Sequence, residues 1–236
     1  MLAIKNNTKL NAVILSLVLF SGLVYWIFTI TQTKNNFKEP VVYTLSDEKV
    51  LNPINAYKTI LLKKDSVVNG FFNPGFTKHK WWIYLNVPSQ VGDYLQIANP
   101  HINKIRIYTI HNEQPLLAYE SGDYFKFSKR VLSDPDFWFQ IPSLTSGLLV
   151  EVDKKGESLD LPIRLVAERE MTQYLFDEKM AYGIFTGWMI FLILLNLFLW
   201  ASLRDNIHFF YILFVGSSAL WVIANWGLGF QYFWPD

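Results

Sequence analysis

Cysteine is absent from the 236-residue chain, and neither sign of charge predominates. Without a thiol, the chain can form no disulfide, no thiolate nucleophile and no cysteine-ligated zinc site. Its 21 Lys and Arg residues oppose 20 Asp and Glu residues, which gives a net charge of +1. A nucleic-acid-binding protein is expected to carry a basic face or tail, so the charge balance argues against that class.

Sequence patterns typical of catalytic centres are also scarce. The chain has no Gly-x-Ser-x-Gly nucleophile elbow, and no two of its four histidines have the spacing of metal ligands on one helix. The neighbouring carboxylates Asp134 and Asp136 flank Pro135, which favours a turn over a glycosidase carboxylate pair. We therefore predict that this chain is not an enzyme and holds neither cofactor nor metal.

What the chain does have is long apolar runs. Residues 11–30, 180–200 and 207–230 contain no Asp, Glu, Lys or Arg. A helix of twenty residues spans about 30 Å, the thickness of the hydrocarbon core of a bilayer. Arg204 falls between the last two runs, and an arginine at the centre of a membrane helix is unfavourable. Two separate transmembrane helices are therefore predicted within residues 180–236.

The first apolar run follows a short basic head with Lys5 and Lys9, as in an export signal. Tyr25 and Trp26 near its far end favour a retained signal anchor over a cleaved signal peptide, and both alternatives stay open for residues 1–33. Either one places the region that begins at residue 34, up to the next membrane span, outside the cytoplasm. The positive-inside rule agrees, because it then puts Arg204 on the cytoplasmic side.

Residues 34–167 have the composition of a water-soluble domain, with short runs in which apolar and polar residues alternate. Alternation with a period of two indicates strands with one buried face, and Gly, Pro, Asn and Ser separate these runs. We predict an antiparallel, jelly-roll-like β-sandwich. Strands and turns are expected over residues 34–79, and an amphipathic connector helix over residues 168–179. The clearest strands are expected at residues 81–87, 104–109, 137–141, 148–153 and 159–165.

Several segments spread over residues 40–236 together resemble one known family. In the β region they are Gly75-Phe-Thr followed by Trp81-Trp-Ile-Tyr-Leu, residues 95–108 as a central hairpin, and Gly122-Asp-Tyr-Phe-Lys-Phe-Ser-Lys-Arg130. In the membrane region they are Tyr182-Gly183, Asn196-Leu-Phe-Leu199, His208-Phe-Phe-Tyr-Ile-Leu213 and Gly229-Phe-Gln-Tyr-Phe-Trp-Pro235. Their order and spacing resemble bacterial seven-transmembrane receptors with diverse intracellular signalling modules.

The resemblance implies an ectodomain that binds carbohydrate or another small ligand, seven helices, and a cytoplasmic output such as a histidine kinase or diguanylate cyclase. The chain holds two of these helices and no output module, which suggests a piece of a receptor or a stand-alone remnant. The resemblance also implies that the protein is located in a bacterial cytoplasmic membrane, with the β domain on the periplasmic or extracellular side. The expected partners are the lipid bilayer, a small-molecule or glycan ligand, and a second copy or a signalling protein. The alternative function is a membrane-anchored binding or assembly module without signalling output.

Aromatic side chains give the first hypothesis for a ligand site. By alternation Trp81 faces the core, so Trp82 and Tyr84 face the opposite way, as do Trp138 and Tyr108 on their strands. Aromatic rings on an outer face can stack on sugar rings, although they can also pack beneath loops or against the membrane-proximal helix. The full set of candidate ligand-binding residues is Trp82, Tyr84, Arg106, Tyr108, Asp123, Arg130, Trp138 and Gln140.

Asp123 and Arg130 have two readings within that set. They could bracket a ligand, or they could tie a loop that Gly122 allows to turn. The second reading is favoured from the sequence.

Overall fold

The computed structural model describes residues 37–48, 51–63, 67–87, 93–143 and 145–235, so the predicted signal segment lies outside the described residues. A β-sandwich is followed by helices. The strands are β1 (Val41–Asp47), β2 (Val67–Asn69), β3 (Phe71–Phe76), β4 (Lys80–Asn86), β5 (Tyr94–Ile97), β6 (Lys104–His111), β7 (Gln114–Ser121), β8 (Phe137–Gln140), β9 (Gly147–Asp153) and β10 (Ser158–Val166). The helices are α1 (Pro53–Lys63), α2 (Glu168–Leu203), α3 (Asn206–Asn225) and α4 (Leu228–Tyr232), with a 3₁₀ turn at Phe127–Lys129.

Two antiparallel sheets form the sandwich. The larger sheet has the strand order β2-β1-β4-β9-β6-β7, and the smaller one has the order β3-β10-β5-β8. This confirms the predicted sandwich, and the five clearest predicted strands correspond to β4, β6, β8, β9 and β10. The expected central hairpin over residues 95–108 is wrong. The chain crosses between the sheets there, so β5 pairs with β8 and β10 while β6 pairs with β7 and β9.

The main core lies between the two sheets. Apolar side chains from both inner faces fill it, and Ile83 and Leu85 of β4 are fully buried there, as the alternation predicts. Trp81 packs against the same core, with its ring 4.9 Å from that of Phe72. Burying these side chains supplies most of the driving force for folding, because the chain has no disulfide.

Helix α1 covers the outer face of the larger sheet, where strands and turns were expected. Asn52 accepts a hydrogen bond from the backbone N–H of Asn55 at 2.8 Å and so caps the helix, and Pro53 occupies its first turn. Ala56, Tyr57 and Ile60 form its buried stripe. The sandwich therefore has a second apolar cluster, between α1 and the larger sheet.

Two long apolar helices follow the sandwich. The predicted connector and first span form one uninterrupted helix, α2, which is 36 residues long. It ends at Arg204 in a left-handed conformation (φ 53°), and Asp205 caps α3 through the backbone N–H of Ile207, which confirms the predicted break. Both α2 and α3 are long and apolar enough to cross a bilayer. The second span ends earlier than predicted, because Gly227 (φ 73°) turns the chain into α4.

Candidate functional site at the sandwich–helix junction

Three of the predicted aromatic residues lie beneath α1. Trp82, Tyr84 and Tyr108 do face away from the main core, but they are buried in the cluster that α1 covers. The indole N–H of Trp82 donates to Asp47 Oδ2 at 2.9 Å. Their ligand role stays a prediction, and the structure gives each of them packing partners within the chain.

Trp138 lies on the outer face of the smaller sheet, against the start of α2. Its side chain is buried in a third cluster with Met171 and Tyr174 of α2. Its indole N–H donates to Asp134 Oδ1 at 3.1 Å. The same cluster contains Phe37, whose ring lies 5.3 Å from that of Tyr174. The smaller sheet and α2 are therefore joined by one continuous apolar contact.

Arg106 belongs to a ladder of charges on the larger sheet beside α1. Glu151 at its centre is buried, and it accepts hydrogen bonds from Lys80 at 2.9 Å, from Arg106 at 3.2 Å and from the hydroxyl of Tyr108 at 3.2 Å. Arg106 also pairs with Glu120 at 2.7 Å. The charged groups of the ladder therefore have partners within the sheet. Gln140 lies apart from them at the exposed end of β8.

Arg130 forms hydrogen bonds with several loop segments at one end of the sandwich. Its side chain is only 3% exposed, and its guanidinium lies over the ring of Phe137 at 4.1 Å. The guanidinium donates to the backbone oxygens of Pro135 and Pro100 and to Asp123 Oδ1, with distances of 3.0 Å to Pro100 and 3.2 Å to Asp123. Asp123 and Arg130 thus tie loops together, as the favoured reading expected.

Gly122 permits this arrangement. Its φ of 137° favours glycine, and a Cβ atom at this position would collide with the backbone of Asn103 and Lys104. The turn therefore brings Asp123 within reach of Arg130.

The loops that Arg130 gathers dock directly on the helical hairpin. The backbone N–H of Phe127 donates to the oxygen of Pro235 at 2.8 Å, and its ring meets that of Phe230 edge-on at 5.5 Å. His101 Nε2 lies 3.1 Å from the backbone oxygen of Asn225. We call this contact, of residues 98–103 and 122–136 with residues 225–235, the junction.

An open cleft of about 410 Å³ lies at the junction. Sandwich loops line one side and the end of the hairpin lines the other, so the cleft belongs to both parts of the chain. We call it the junction cleft, and its lining residues are His101, Asp123, Tyr124, Phe125, Lys126, Ala224, Phe230 and Trp234. Of the residues predicted from the sequence, this cleft contains Asp123.

Burial raises the pKa values of three carboxyl groups around the junction. The pKa of Asp123 is raised although Arg130 opposes the shift, and the pKa of Asp134 is raised in the same way. Burial, with added repulsion from Glu178 and Asp134, raises the pKa of Asp136 to about 8. Gln96 Nε2 donates to Asp136 Oδ2 at 2.9 Å. Among the described residues, no three His, Asp or Glu side chains form a group that could hold a metal ion.

Two protein-family models match the chain, one over most of the sandwich and the other over the apolar helices. Residues 61–167 match the family model described as 7TMR-DISM extracellular 2. Residues 178–236 match the one described as 7TM diverse intracellular signalling. The chain belongs to the 7TMR-DISM receptors. Its sandwich is the extracellular sensor domain, and α2 and α3 begin the membrane region of such a receptor.

The two matches cover the sensor domain and the membrane region of a 7TMR-DISM receptor, and neither match is a catalytic domain. No curated protein matches the chain.

Sequence reasoning missed several residues of the junction in this 7TMR-DISM receptor. The sequence gives no reason to place His101 at a site, and it assigns Phe230 and Trp234 only to the membrane region. Gly227, followed by closely spaced aromatic residues, was the available signal, because a left-handed glycine typically ends a helix. What the aromatic residues contact depends on the tertiary fold, and no local pattern reveals it.

Proposed function

We propose that the extracellular domain binds a small polar ligand in the junction cleft. Binding of the ligand then changes the arrangement of the membrane helices. The observation that carries the proposal is that one cleft has walls from both the sandwich and the helical hairpin. A ligand that bridges two bodies favours the arrangement in which both walls contact it, and such unequal binding is what shifts a conformational equilibrium.

The lining of the junction cleft suits a molecule with several hydroxyl groups and an apolar face. Tyr124 and Trp234 are largely exposed, and an aromatic ring can stack on the flat face of a sugar. Asp123 and His101 supply hydrogen-bonding groups beside them. A mono- or disaccharide is therefore the ligand class that we propose.

The contacts at the junction give the signal a route. Arg130 holds the ligand-side Asp123 and packs near Phe230 of α4, 5.5 Å from its ring. A shift of Asp123 toward a ligand would therefore change the support of α4 and of the α3 end behind it. The signalling output would come from another part of the protein or from a partner, which could be a second copy.

The proposed setting is the cytoplasmic membrane of a bacterium, with the sandwich on the periplasmic side. Lys5 and Lys9 before the first apolar run and Arg204 between the later ones support this orientation. The connection between α2 and α3 would then face the cytoplasm.

Binding can be tested on the full chain in lipid nanodiscs with a panel of mono- and disaccharides. Tyr124→Ala should weaken the binding of any saccharide that binds by about tenfold, the loss of one good stacking contact. Phe76→Ala is the matched control, because Phe76 is also exposed (66%) but lies on β3, outside the junction cleft. Failure of every saccharide to bind would reject the ligand class.

Coupling can be tested by a distance measurement, since the cysteine-free chain accepts labels at introduced cysteines alone. Spin labels at Lys155→Cys on the sandwich and Leu203→Cys at the end of α2 should change separation when the saccharide is added. Binding without any change would reject the sensor function and favour a membrane-anchored binding module.

A further inference from the structure

A second cleft, whose lining shares no residue with the junction cleft, also lies between the sandwich and the helices. Its volume is about 460 Å³, within the range of small-molecule sites, roughly 300–1,000 Å³. Asp134 and Pro135 form its sandwich wall, while Gly183 of α2, Ile223 of α3 and Leu228 of α4 contribute to the apolar wall. We call it the lateral cleft.

The lateral cleft spans the change from polar to apolar surface along α2. Lys179 lines it and is the last charged residue before the charge-free residues 180–200. Tyr182 and Thr186 line it further along the helix. Tyrosine and lysine side chains at this position are typical of the level at which lipid headgroups meet hydrocarbon chains. One end of the cleft therefore lies among headgroups and the other in the hydrocarbon.

The polar end of the lateral cleft contains groups that lack partners. Lys179 is exposed and makes no hydrogen bond or close ion pair with any residue that the structure describes, although its charge acts on Asp134, where it opposes the rise of the pKa that burial causes. Asp134 is only 1% exposed, and its Oδ2 has no hydrogen-bond partner within the described part of the chain. Its other oxygen accepts from Trp138 and from the backbone of Asp136. A buried acceptor without a donor is unfavourable, so a donor from a bound molecule would stabilise the site.

We infer that the lateral cleft binds one anionic phospholipid of the outer leaflet whose head carries a hydroxyl group, as in phosphatidylglycerol. The phosphate pairs with Lys179, the head hydroxyl donates to Asp134, and an acyl chain lies along Gly183 and Thr186. Two features favour this ligand. The positive charge of Lys179 complements an anionic head group, and the lining changes from polar to apolar as a phospholipid does. Another helix or a second copy of the chain would fill the apolar part without needing a phosphate.

Gly183 offers a direct way to fill the lateral cleft. A Cβ atom built at this position has no atom within 4 Å, so a larger side chain projects into open space rather than into the protein. Gly187 lies one turn further along α2, also with nothing within 4 Å, and is not among the residues that line the cleft. Gly183→Leu and Gly187→Leu are therefore a matched pair with equal added volume.

The test is to load the full chain in detergent with phosphatidylglycerol or phosphatidylcholine and count bound lipids by native mass spectrometry. The unmodified chain and Gly187→Leu should each retain one phosphatidylglycerol, and Gly183→Leu should bind it at least about tenfold more weakly. Lys179→Gln should abolish the preference for phosphatidylglycerol over phosphatidylcholine.

Equal retention by Gly183→Leu and Gly187→Leu would overturn the inference, as would an unchanged lipid preference in Lys179→Gln. Lys179 is exposed and makes no described hydrogen bond or close ion pair, so this second variant stays informative even if Gly183→Leu folds poorly. Loss of phosphatidylglycerol only when a second copy associates would show that protein occupies the cleft, which also overturns the inference. Saccharide binding in the junction cleft is measured separately, so the two proposals can fail independently.

Discussion

The rings of Trp138 and Tyr174 lie with their centroids 6.0 Å apart, and this contact joins the smaller sheet to the first turns of α2. Trp138 is 2% exposed and Tyr174 is 3% exposed. The sensor domain and the first membrane helix of the receptor thus share one buried cluster, so the stability of one depends on the other.

Trp138→Ala should destabilise the chain by about 3–5 kcal/mol, because it empties a fully packed site and removes the indole donor of Asp134, which keeps only the backbone N–H of Asp136. Denaturant unfolding of the chain in detergent measures the change. Trp188→Ala is the control, because Trp188 is 58% exposed on the apolar surface of α2 and its loss should change stability little. Equal effects of the two variants would contradict the packing described for the smaller sheet.

Arg130→Ala should free the junction while leaving the sandwich folded. The guanidinium holds the oxygens of Pro100 and Pro135 together with Asp123, and no smaller side chain reaches all three. We expect faster amide hydrogen exchange at residues 225–235 and unchanged protection in β4 and β9, measured by mass spectrometry. Lys129→Ala, a change at the exposed neighbouring position, should leave exchange at residues 225–235 as it is. Protection of residues 225–235 in Arg130→Ala would show that Arg130 does not support the junction.

Asp136→Asn should stabilise the chain near neutral pH. The folded pKa of Asp136 is about 8 against an ordinary value of 3.8, so the folded state holds a proton that the unfolded chain has released. Folding stability must then fall as the pH rises from about 4 to 8. Asparagine cannot ionise and can still accept from Gln96.

The gain from Asp136→Asn should be about 1–3 kcal/mol at pH 8 and close to zero at pH 4. Unfolding curves at several pH values measure it, with the exposed Asp160→Asn as a control that keeps the original pH dependence. A gain that does not grow with pH would mean that Asp136 is ionised in the folded protein at pH 7.

Glu151→Gln should cost about 3 kcal/mol, because it leaves Lys80 and Arg106 short of a buried counter-charge. Glu120→Gln removes a carboxylate that pairs with Arg106 near the surface, where its side chain is 32% exposed, and should cost less than about 1 kcal/mol. Thermal unfolding of the two variants in the same detergent compares them. A larger loss in Glu120→Gln would mean that the ladder is centred on β7.

The sandwich could be predicted from the sequence because alternation is a local property. In β4, every second residue, such as Ile83, faces the main core, while the residues between them, such as Trp82, face the cluster beneath α1. The pattern does not reveal what covers the second face. Helix α1 had the signals of a helix start in Asn52 and Pro53, but its short apolar run also fitted a strand.

The candidate site could be predicted only in part, for the same reason. Asp123 and Arg130 lie seven residues apart in one loop, so their pairing could be anticipated. The approach of Phe127 to Phe230 joins residues about a hundred positions apart. Such a contact is set by where the sandwich rests on the helices, and single-sequence patterns carry no information on that placement.

Helix α2 contains no proline along its 36 residues, and it stays helical through Gly183 and Gly187. At 1.5 Å per residue it forms a rod of about 54 Å, with the sandwich clamped to its first turns. A tilt of only a few degrees at the sandwich would displace the far end by several ångströms, at Arg204, where the helix ends. The length of α2 would therefore turn a small change of angle at the sandwich into a larger displacement at the connection between α2 and α3.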